Sequence, residues 1–323
     1  MFVTTKTPLR VSYLGGGTDY FDYCARNPGF VISTTIDKYV YVFANPLSKF
    51  AEENFRFTYR ETESVKEASE IRHPVVREVL RQYGNRRRLN LGTFADIPGS
   101  SGLGGSSAFT VGLLRLMATI QNKSITAASL ADEAIHLERN VLKEFGGFQD
   151  QMSAAFGGFR LYEFHPISRA ASPSICDVQL KEYFAPRQIL VWIGSFRASP
   201  ITPPDENGSD PGILRDLAQI TSSTWKEMAD TNSVSKKFDI LSAAMNQGWD
   251  LKKKSSKTIG SGSENIIVRG MRLGARSAKL CGAGGGGFVL FLADPEVVGK
   301  IETEFGSENT LRFELSETGT TEI

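Results

Sequence analysis

Glycine and serine fill all but one position between Gly99 and Ser107. The segment Pro98, Gly99, Ser100, Ser101, Gly102, Leu103, Gly104, Gly105, Ser106, Ser107 leads straight into the apolar run AFTVGLLRLMATI, where a buried helix is expected to begin near Ser107. Amides at a helix start lack intrahelical partners and sit at the positive end of the dipole. Glycines let such a backbone approach a phosphate, and Ser106 or Ser107 can offer a hydroxyl to phosphate or to a cation. No Lys-Ser or Lys-Thr follows the glycines, so this is not a Walker A loop. A flexible turn capped by serine is the plainer alternative, and the apolar helix directly behind favours phosphate binding.

Two carboxylates could work beside such a loop. On a helix expected over Ser124 to Leu142, residues Leu130, Ala131, Ala134, Leu137, Val141 and Leu142 form one apolar face with Glu138 at its centre. A carboxylate there is costly unless it is paired or holds a cation, and metal coordination is weighed above a buried ion pair. Asp150 lies between two diglycines in GGFQDQMSAAFGG, as though presented by a closely folded backbone; it could also cap a helix starting near Gln151. Asp19 follows Arg10 and a glycine turn in LGGGTDY, a segment that decides nothing alone. The run CGAGGGGFVLFL fits GxGxxG at Gly282, Gly284 and Gly287. A dinucleotide fingerprint follows a strand and opens a helix, whereas here a helical stretch is expected before the glycines and a strand after. A loop closing over a ligand is preferred to tight backbone packing.

These residues need a scaffold. Strands are expected at Leu9 to Leu14, Phe30 to Val42, Phe55 to Tyr59, Leu89 to Ala95 and from Ile189, with helices over Ile213 to Leu280 and a final helix and strand. This order suggests an α+β protein with domains 1–185 and 186–323. With 323 residues, 41% hydrophobic and 23% charged, the chain can bury two cores. Lys and Arg (37) balance Asp and Glu (36), so neither nucleic acid nor a membrane surface is an expected partner. The run Arg86 to Arg88 is read as a solvated turn, and Glu52 to His73 as a flap. Cys24, Cys176 and Cys281 form no CxxC pair, and no histidine stands at zinc-ligand spacing. No signal-type stretch opens MFVTTKTPLRVSYLGGG, and no window approaches about 18 apolar residues, so a soluble cytoplasmic protein is expected.

Together these segments resemble the GHMP kinase superfamily. RVSYLGGGTD resembles its first motif, which reads R-x-N-x-x-G-E-H-T-D in galactokinases; PGSSGLGGSSA is similar to the second and KLCGAGGGGF to the third. Within the superfamily the heptose 7-phosphate kinases are most similar, through TPLRVSYLGGGTDY, TIDKYVYV, GGFQDQMSAAFGGF, WDLKKKSS and the third motif. The resemblance implies an α+β fold of two parts, one like ribosomal protein S5 domain 2 and one ferredoxin-like, with ATP and Mg²⁺ as cofactors. It implies that Pro98 to Ser107 cradle the ATP phosphates, that Ser107 (or Ser106) and Glu138 hold Mg²⁺, and that Asp150 is the catalytic aspartate. Two departures stand out: Gly105 replaces a serine of the second motif, and Gly16 and Gly17 replace the glutamate and histidine that contact hexose in galactokinases.

The expected reaction is transfer of the ATP γ-phosphoryl group to the anomeric hydroxyl of a sugar or sugar phosphate. Asp150 would take or orient the hydroxyl proton, and Arg10 would pair with Asp150. Asp19, Gly16, Gly17, Gly284 and Gly285 would line the sugar, with Lys38, Arg160 or Arg197 for its phosphate. The alternatives are a kinase for fucose or a related deoxy or amino sugar, a catalytically silent sugar sensor and, least, a dinucleotide-dependent oxidoreductase. Monomer and homo-oligomer are equally compatible with the sequence.

Overall fold

The computed structural model describes residues 2–83, 87–194, 210–255, 261–282 and 286–323. Strand β1 (Val3–Leu14) turns through glycines into the one-turn helix α1 (Phe21–Cys24) and returns as the long antiparallel β2 (Gly29–Pro46). The hairpin β3 (Phe55–Thr58) and β4 (Thr62–Val65) follows, then α2 (Pro74–Gln82) and β5 (Leu89–Ala95), which pairs with both β2 and β3. The segment read as a flap is thus largely a paired hairpin, with Glu63 accepting the amides of Arg72 and His73. Arg88 is not solvated either: its guanidinium binds the carbonyls of Lys49, Ala51 and Glu53.

Three helices cover one face of this sheet. Helix α3 (Gly105–Ile120) is buried on nearly every side, as its apolar run demands, and packs on β1 and β2. Helix α4 (Ala127–Ile135) starts three residues later than expected because Thr126 caps it, accepting the Ser129 amide at 3.1 Å. Its continuation His136–Val141 widens into a π-helical turn, so Val141 faces solvent at 39% exposure instead of joining the apolar face. Helix α5 (Gln149–Phe156), β6 (Phe159–Phe164), β7 (Arg169–Ala171) and α6 (Val178–Phe184) complete this part.

At β8 (Gln188–Trp192) the chain passes to a second sheet. Helices α7 (Pro211–Ala229), α8 (Val234–Ser255) and α9 (Ser261–Arg272) precede β9 (Ser277–Leu280), β10 (Phe288–Leu292), α10 (Pro295–Phe305) and β11 (Thr310–Leu311). The strand order is β11-β8-β10-β9, all antiparallel. Along β10, Leu290 and Leu292 face the large core while Val289 and Phe291 face a smaller core with Ile267, Val298 and Ile301. Burial on both faces explains the unbroken apolar run FVLFL. A strand, not a helix, precedes the third glycine run; Lys279 within it hides the strand pattern. β9 and β10 form a hairpin, so the dinucleotide context is still unmet. The last strands, β12 (Leu315–Ser316) and β13 (Thr321–Glu322), return to the first sheet beside β2 and β1.

Two contacts fix how these layers sit. Helix α3 approaches β1 so closely at Gly112 that a Cβ there would lie 2.7 Å from Thr7 Oγ1. Lys279 of the second sheet donates to the Ser12 carbonyl of β1 at 2.6 Å. Burial lowers the Lys279 ammonium from 10.5 to about 7, with the nearby charge of Lys252 adding to the effect. Gly112→Leu should lower the unfolding free energy in urea by about 1–3 kcal/mol through overpacking. Because unfolding restores an ordinary lysine, the unfolded chain binds more protons between about pH 7 and 10.5, so stability rises across that window. Relative to Lys279→Met, the native protein should gain about 1.4 kcal/mol per pH unit there; a pH-independent difference would show that the ammonium is not strained by burial.

Candidate active site

Between β5 and α3 the backbone takes left-handed conformations at Ser100 (φ 63°), Gly102 (φ 80°) and Gly104 (φ 77°). Such residues interspersed in a turn aim successive amides to one side, and here they deliver the chain to the positive end of α3. Pro98, Gly99, Ser100 and Ser106 are exposed, whereas Ser101 and Leu103 are buried and anchor the loop. At Gly105 a Cβ would make only an ordinary contact with Leu9 at 3.8 Å, so sterics do not exclude a side chain there. The third glycine run backs this loop: a Cβ on Gly102 would lie 2.7 Å from the Cys281 carbonyl oxygen. Its described ends are therefore packed backbone on backbone, and Gly284 and Gly285 lie outside the described residues.

Arg10 links this loop to the first carboxylate. Nε and one terminal nitrogen meet Asp150 Oδ1 at 2.8 and 2.7 Å, and the other donates to the Gly102 carbonyl at 2.6 Å. The Arg10 amide also bonds the Leu103 carbonyl at 3.0 Å. The register of β1 on β2 shifts between Pro8 and Arg10, freeing the backbone there to meet the loop. Asp150 sits in the first turn of α5, which begins at Gln149, two residues before the expected start, so Asp150 is within the helix and not its cap; there the helix dipole favours its charge. Its Oδ2 takes no hydrogen bond from the described residues, and the side chain keeps 27% exposure.

Ser107, in the first turn of α3, meets Glu138. Ser107 Oγ donates to Glu138 Oε2 at 3.0 Å, and Gln151 Nε2 donates to Ser107 Oγ at 3.1 Å and also to Glu138 Oε2. Arg139 adds a guanidinium 3.4 Å from Glu138 Oε2. The geometry separates the two serines: Ser107 is buried beside Glu138, and Ser106 is exposed. Burial pushes the Glu138 carboxyl up, opposed chiefly by Arg139. Oε1 of Glu138 and Oε1 of Gln151 are buried with no hydrogen-bond partner. Two unmet hard oxygens beside a serine hydroxyl fit a divalent cation of the Mg²⁺ class. Among the described residues no three His, Cys, Asp or Glu side chains gather as a metal cluster, so the oxygens here come from mixed groups.

Other expected residues fall differently. Gly16 and Gly17 border Gln149 and Leu214, and the Gly17 amide reaches Asp19 Oδ1 at 2.9 Å. Asp19 itself does not open towards a sugar: it is fully buried, and its Oδ2 accepts the amide and side chain of Gln149 at 3.1 Å each. It holds the start of α5, and burial pushes its carboxyl up, with Asp150 adding. Lys38 contacts its neighbour Asp37, at 2.9 Å, and bonds to none of the described site residues; Arg160 spends its donors on the carbonyls of Gly157 and Ser172. Arg197 lies outside the described residues. Reasoning from the sequence missed Gln149 and Gln151, although both flank Asp150 in the singled-out segment. It also missed Lys252, within WDLKKKSS, whose Nζ stands 3.4 Å from the Gly282 carbonyl and whose charge is felt at Asp19 and Arg10.

A glycine loop at a helix start, a buried serine–glutamate pair and a carboxylate with an oxygen that no described residue bonds are the groups that phosphoryl transfer would use. Comparison with known proteins agrees. The family described as GHMP kinases N terminal domain matches residues 69–158, and GHMP kinases C terminal matches residues 231–309. A D-glycero-alpha-D-manno-heptose 7-phosphate kinase from Campylobacter jejuni is 28% identical over 312 residues, covering 91% of this chain and 90% of its own. A galactokinase from Pyrococcus furiosus is 25% identical over 327 residues, with the same two coverages. The crystal structure of a D-glycero-D-manno-heptose 1-phosphate kinase from Bacteriodes thetaiotaomicron superposes with a TM-score of 0.80 at 19% identity, over 99% of this chain and 98% of that one. With both family domains matched in order over just over half of the chain, and the α+β fold shared from end to end, the chain belongs to the GHMP kinases and is a phosphotransferase.

Proposed function

We propose that this kinase transfers the γ-phosphoryl group of ATP to the anomeric hydroxyl of a sugar phosphate, D-glycero-alpha-D-manno-heptose 7-phosphate, giving the 1,7-bisphosphate. GHMP kinases use ATP as substrate, and relatives of this chain act on sugars. The observation that carries the reading is the pairing of Arg10 with Asp150 Oδ1 while the same guanidinium grips the loop before α3. In this reading that contact would set an aspartate, one of whose oxygens no described residue bonds, beside the loop that receives the phosphates.

In this reading the amides from Gly102 to Ser107 receive the ATP phosphates. Ser107 and Glu138 would hold Mg²⁺, which when bound neutralises charge on the phosphates. Asp150 Oδ2 accepts the proton of the anomeric hydroxyl as the sugar oxygen attacks, and Arg10 holds the carboxylate in place. Asp19 acts one step back, keeping Gln149 and the start of α5 in register. Gly16 and Gly17 leave room where a galactokinase carries larger side chains, and Lys252 is the described cation best disposed for the phosphate that the sugar carries. The division into domains 1–185 and 186–323 belongs to the same proposal; the passage to the second sheet at β8 supports its boundary, and the return of β12 and β13 to the first sheet corrects its far end. A cytoplasmic setting fits the three free, buried cysteines, and no helix of the described residues is long and apolar enough to cross a membrane.

A coupled ADP-release assay over free and phosphorylated sugars tests the substrate. The heptose 7-phosphate should give the highest kcat/KM, and a free hexose or fucose exceeding it would refute the assignment. Asp150→Asn should lower kcat by about 10²–10⁴-fold while ATP affinity, measured by calorimetry, stays near the native value. Turnover close to native would remove Asp150 from the chemistry.

A further inference from the structure

Gln151 is fully buried, yet its carboxamide is only half used. Nε2 donates to Ser107 Oγ at 3.1 Å and to Glu138 Oε2, while Oε1 has no partner. Glu138 Oε1, on the same carboxylate, makes no hydrogen bond of ordinary geometry, although the Thr110 hydroxyl lies close enough to the carboxylate to favour its charge. A buried acceptor left unmet costs on the order of 1–3 kcal/mol. Two such oxygens a few bonds from one hydroxyl are a local cost that a third party would relieve.

The amide nitrogen points at the spot a cation would need. A divalent ion drawing on Ser107 Oγ and Glu138 Oε2 would take the lone pairs that Nε2–H now occupies, and the partial positive charge of an NH₂ group cannot remain beside it. The last torsion of a glutamine is broad and nearly two-fold, so a half-turn exchanges nitrogen for oxygen without moving the helix. After that turn Oε1, a hard carbonyl oxygen of the kind Mg²⁺ and Mn²⁺ accept, faces the ion.

We propose that Gln151 is a third protein ligand of the catalytic cation, a two-position carboxamide that offers its nitrogen to Glu138 or its oxygen to the metal. The inference rests on the metal assignment under Proposed function and extends it. Gln151 is the neighbour of Asp150 in the first turn of α5, so one short stretch of helix reports the cation to the group that handles the acceptor proton. Arg139, 3.4 Å from Glu138 Oε2, is the remaining countercharge and stays in place in both positions of the amide.

The test is Mn²⁺ binding to the full-length protein in the presence of the β,γ-imido analogue of ATP, followed by the EPR signal of free Mn²⁺ and by thermal unfolding with and without the ion. Gln151→Met removes both amide atoms at similar volume and should weaken Mn²⁺ at least tenfold, within the roughly 10–100-fold range for groups around a metal. Gln151→Glu keeps an oxygen and loses the donor. It should bind Mn²⁺ at least as tightly as the native protein and show a larger rise in Tm on adding the ion. An amide that only donates to Glu138 predicts otherwise: native Mn²⁺ affinity in Gln151→Met, or equal loss in both variants, and either result overturns the proposal. If Gln151→Met does not fold, Gln151→Glu decides alone, weaker binding being the overturning result. Glu138→Gln separates the two levels. Should it bind Mn²⁺ like the native protein, the metal assignment falls and the amide with it; should it lose the ion while Gln151→Met keeps it, only the role of Gln151 falls.

Discussion

A guanidinium with 6% exposure holds the centre of this molecule together. Arg10 stands on β1, where the first sheet changes register, and its donors reach forward to the Gly102 carbonyl and across to Asp150. Taking such a charge out of water is tolerable only because each face of the planar fork finds an acceptor. The consequence is geometric: sheet, glycine-serine loop and the start of α5 cannot shift independently. Removing Asp150 would leave the buried Arg10 charge uncompensated, which costs more than the pair contributes when intact.

The other ties act on the same centre from behind. The Ser101 to Gly104 loop cannot relax away from Arg10, because the Cys281–Gly282 backbone lies directly against Gly102. That hairpin belongs to the second sheet, whose Lys279 is bonded to β1 through the Ser12 carbonyl. Asp19 fixes the same helix start that carries Asp150 and Gln151, and Glu138 reaches Ser107 from a π-helical turn. Such a turn adds a residue to one coil and re-aims the side chains around it. Asp19 Oδ2 accepts the amide and side chain of Gln149, and Glu138 Oε2 accepts from Ser107 and Gln151, each from another segment, so the polar groups of the site also act as its cross-links.

Much of this was legible because local chemistry and burial pointed the same way. The glycine-serine loop before an apolar helix, and Glu138 in the middle of an apolar face, follow from backbone and period alone. What stayed hidden depends on tertiary contacts. Asp19 has the look of a surface carboxylate after a glycine turn, and nothing nearby in sequence announces that Gln149, far along the chain, will bury it. Lys279 breaks the pattern of β9 because its ammonium is received by another sheet. The π-turn leaves no periodic signature in so short a stretch, and Val141 is misplaced by that one added residue. Gln149 and Gln151 escaped notice because amides carry no charge to flag them.

The return of β12 and β13 to the first sheet bears on the order in which the protein can be completed during synthesis. Residues 320–322 bond to the Ala154 carbonyl, to Arg115 across 207 positions of sequence, to Thr7 across 313, and pair with Thr5 and Lys6 on β1. While the ribosome is still making the second sheet, the outer edge of β1 has no partner and its amides and carbonyls lie open to any passing strand. The sheet that carries Arg10 is therefore begun early and its β1 edge is paired late, and its exposure to misassembly lasts as long as translation of the residues between.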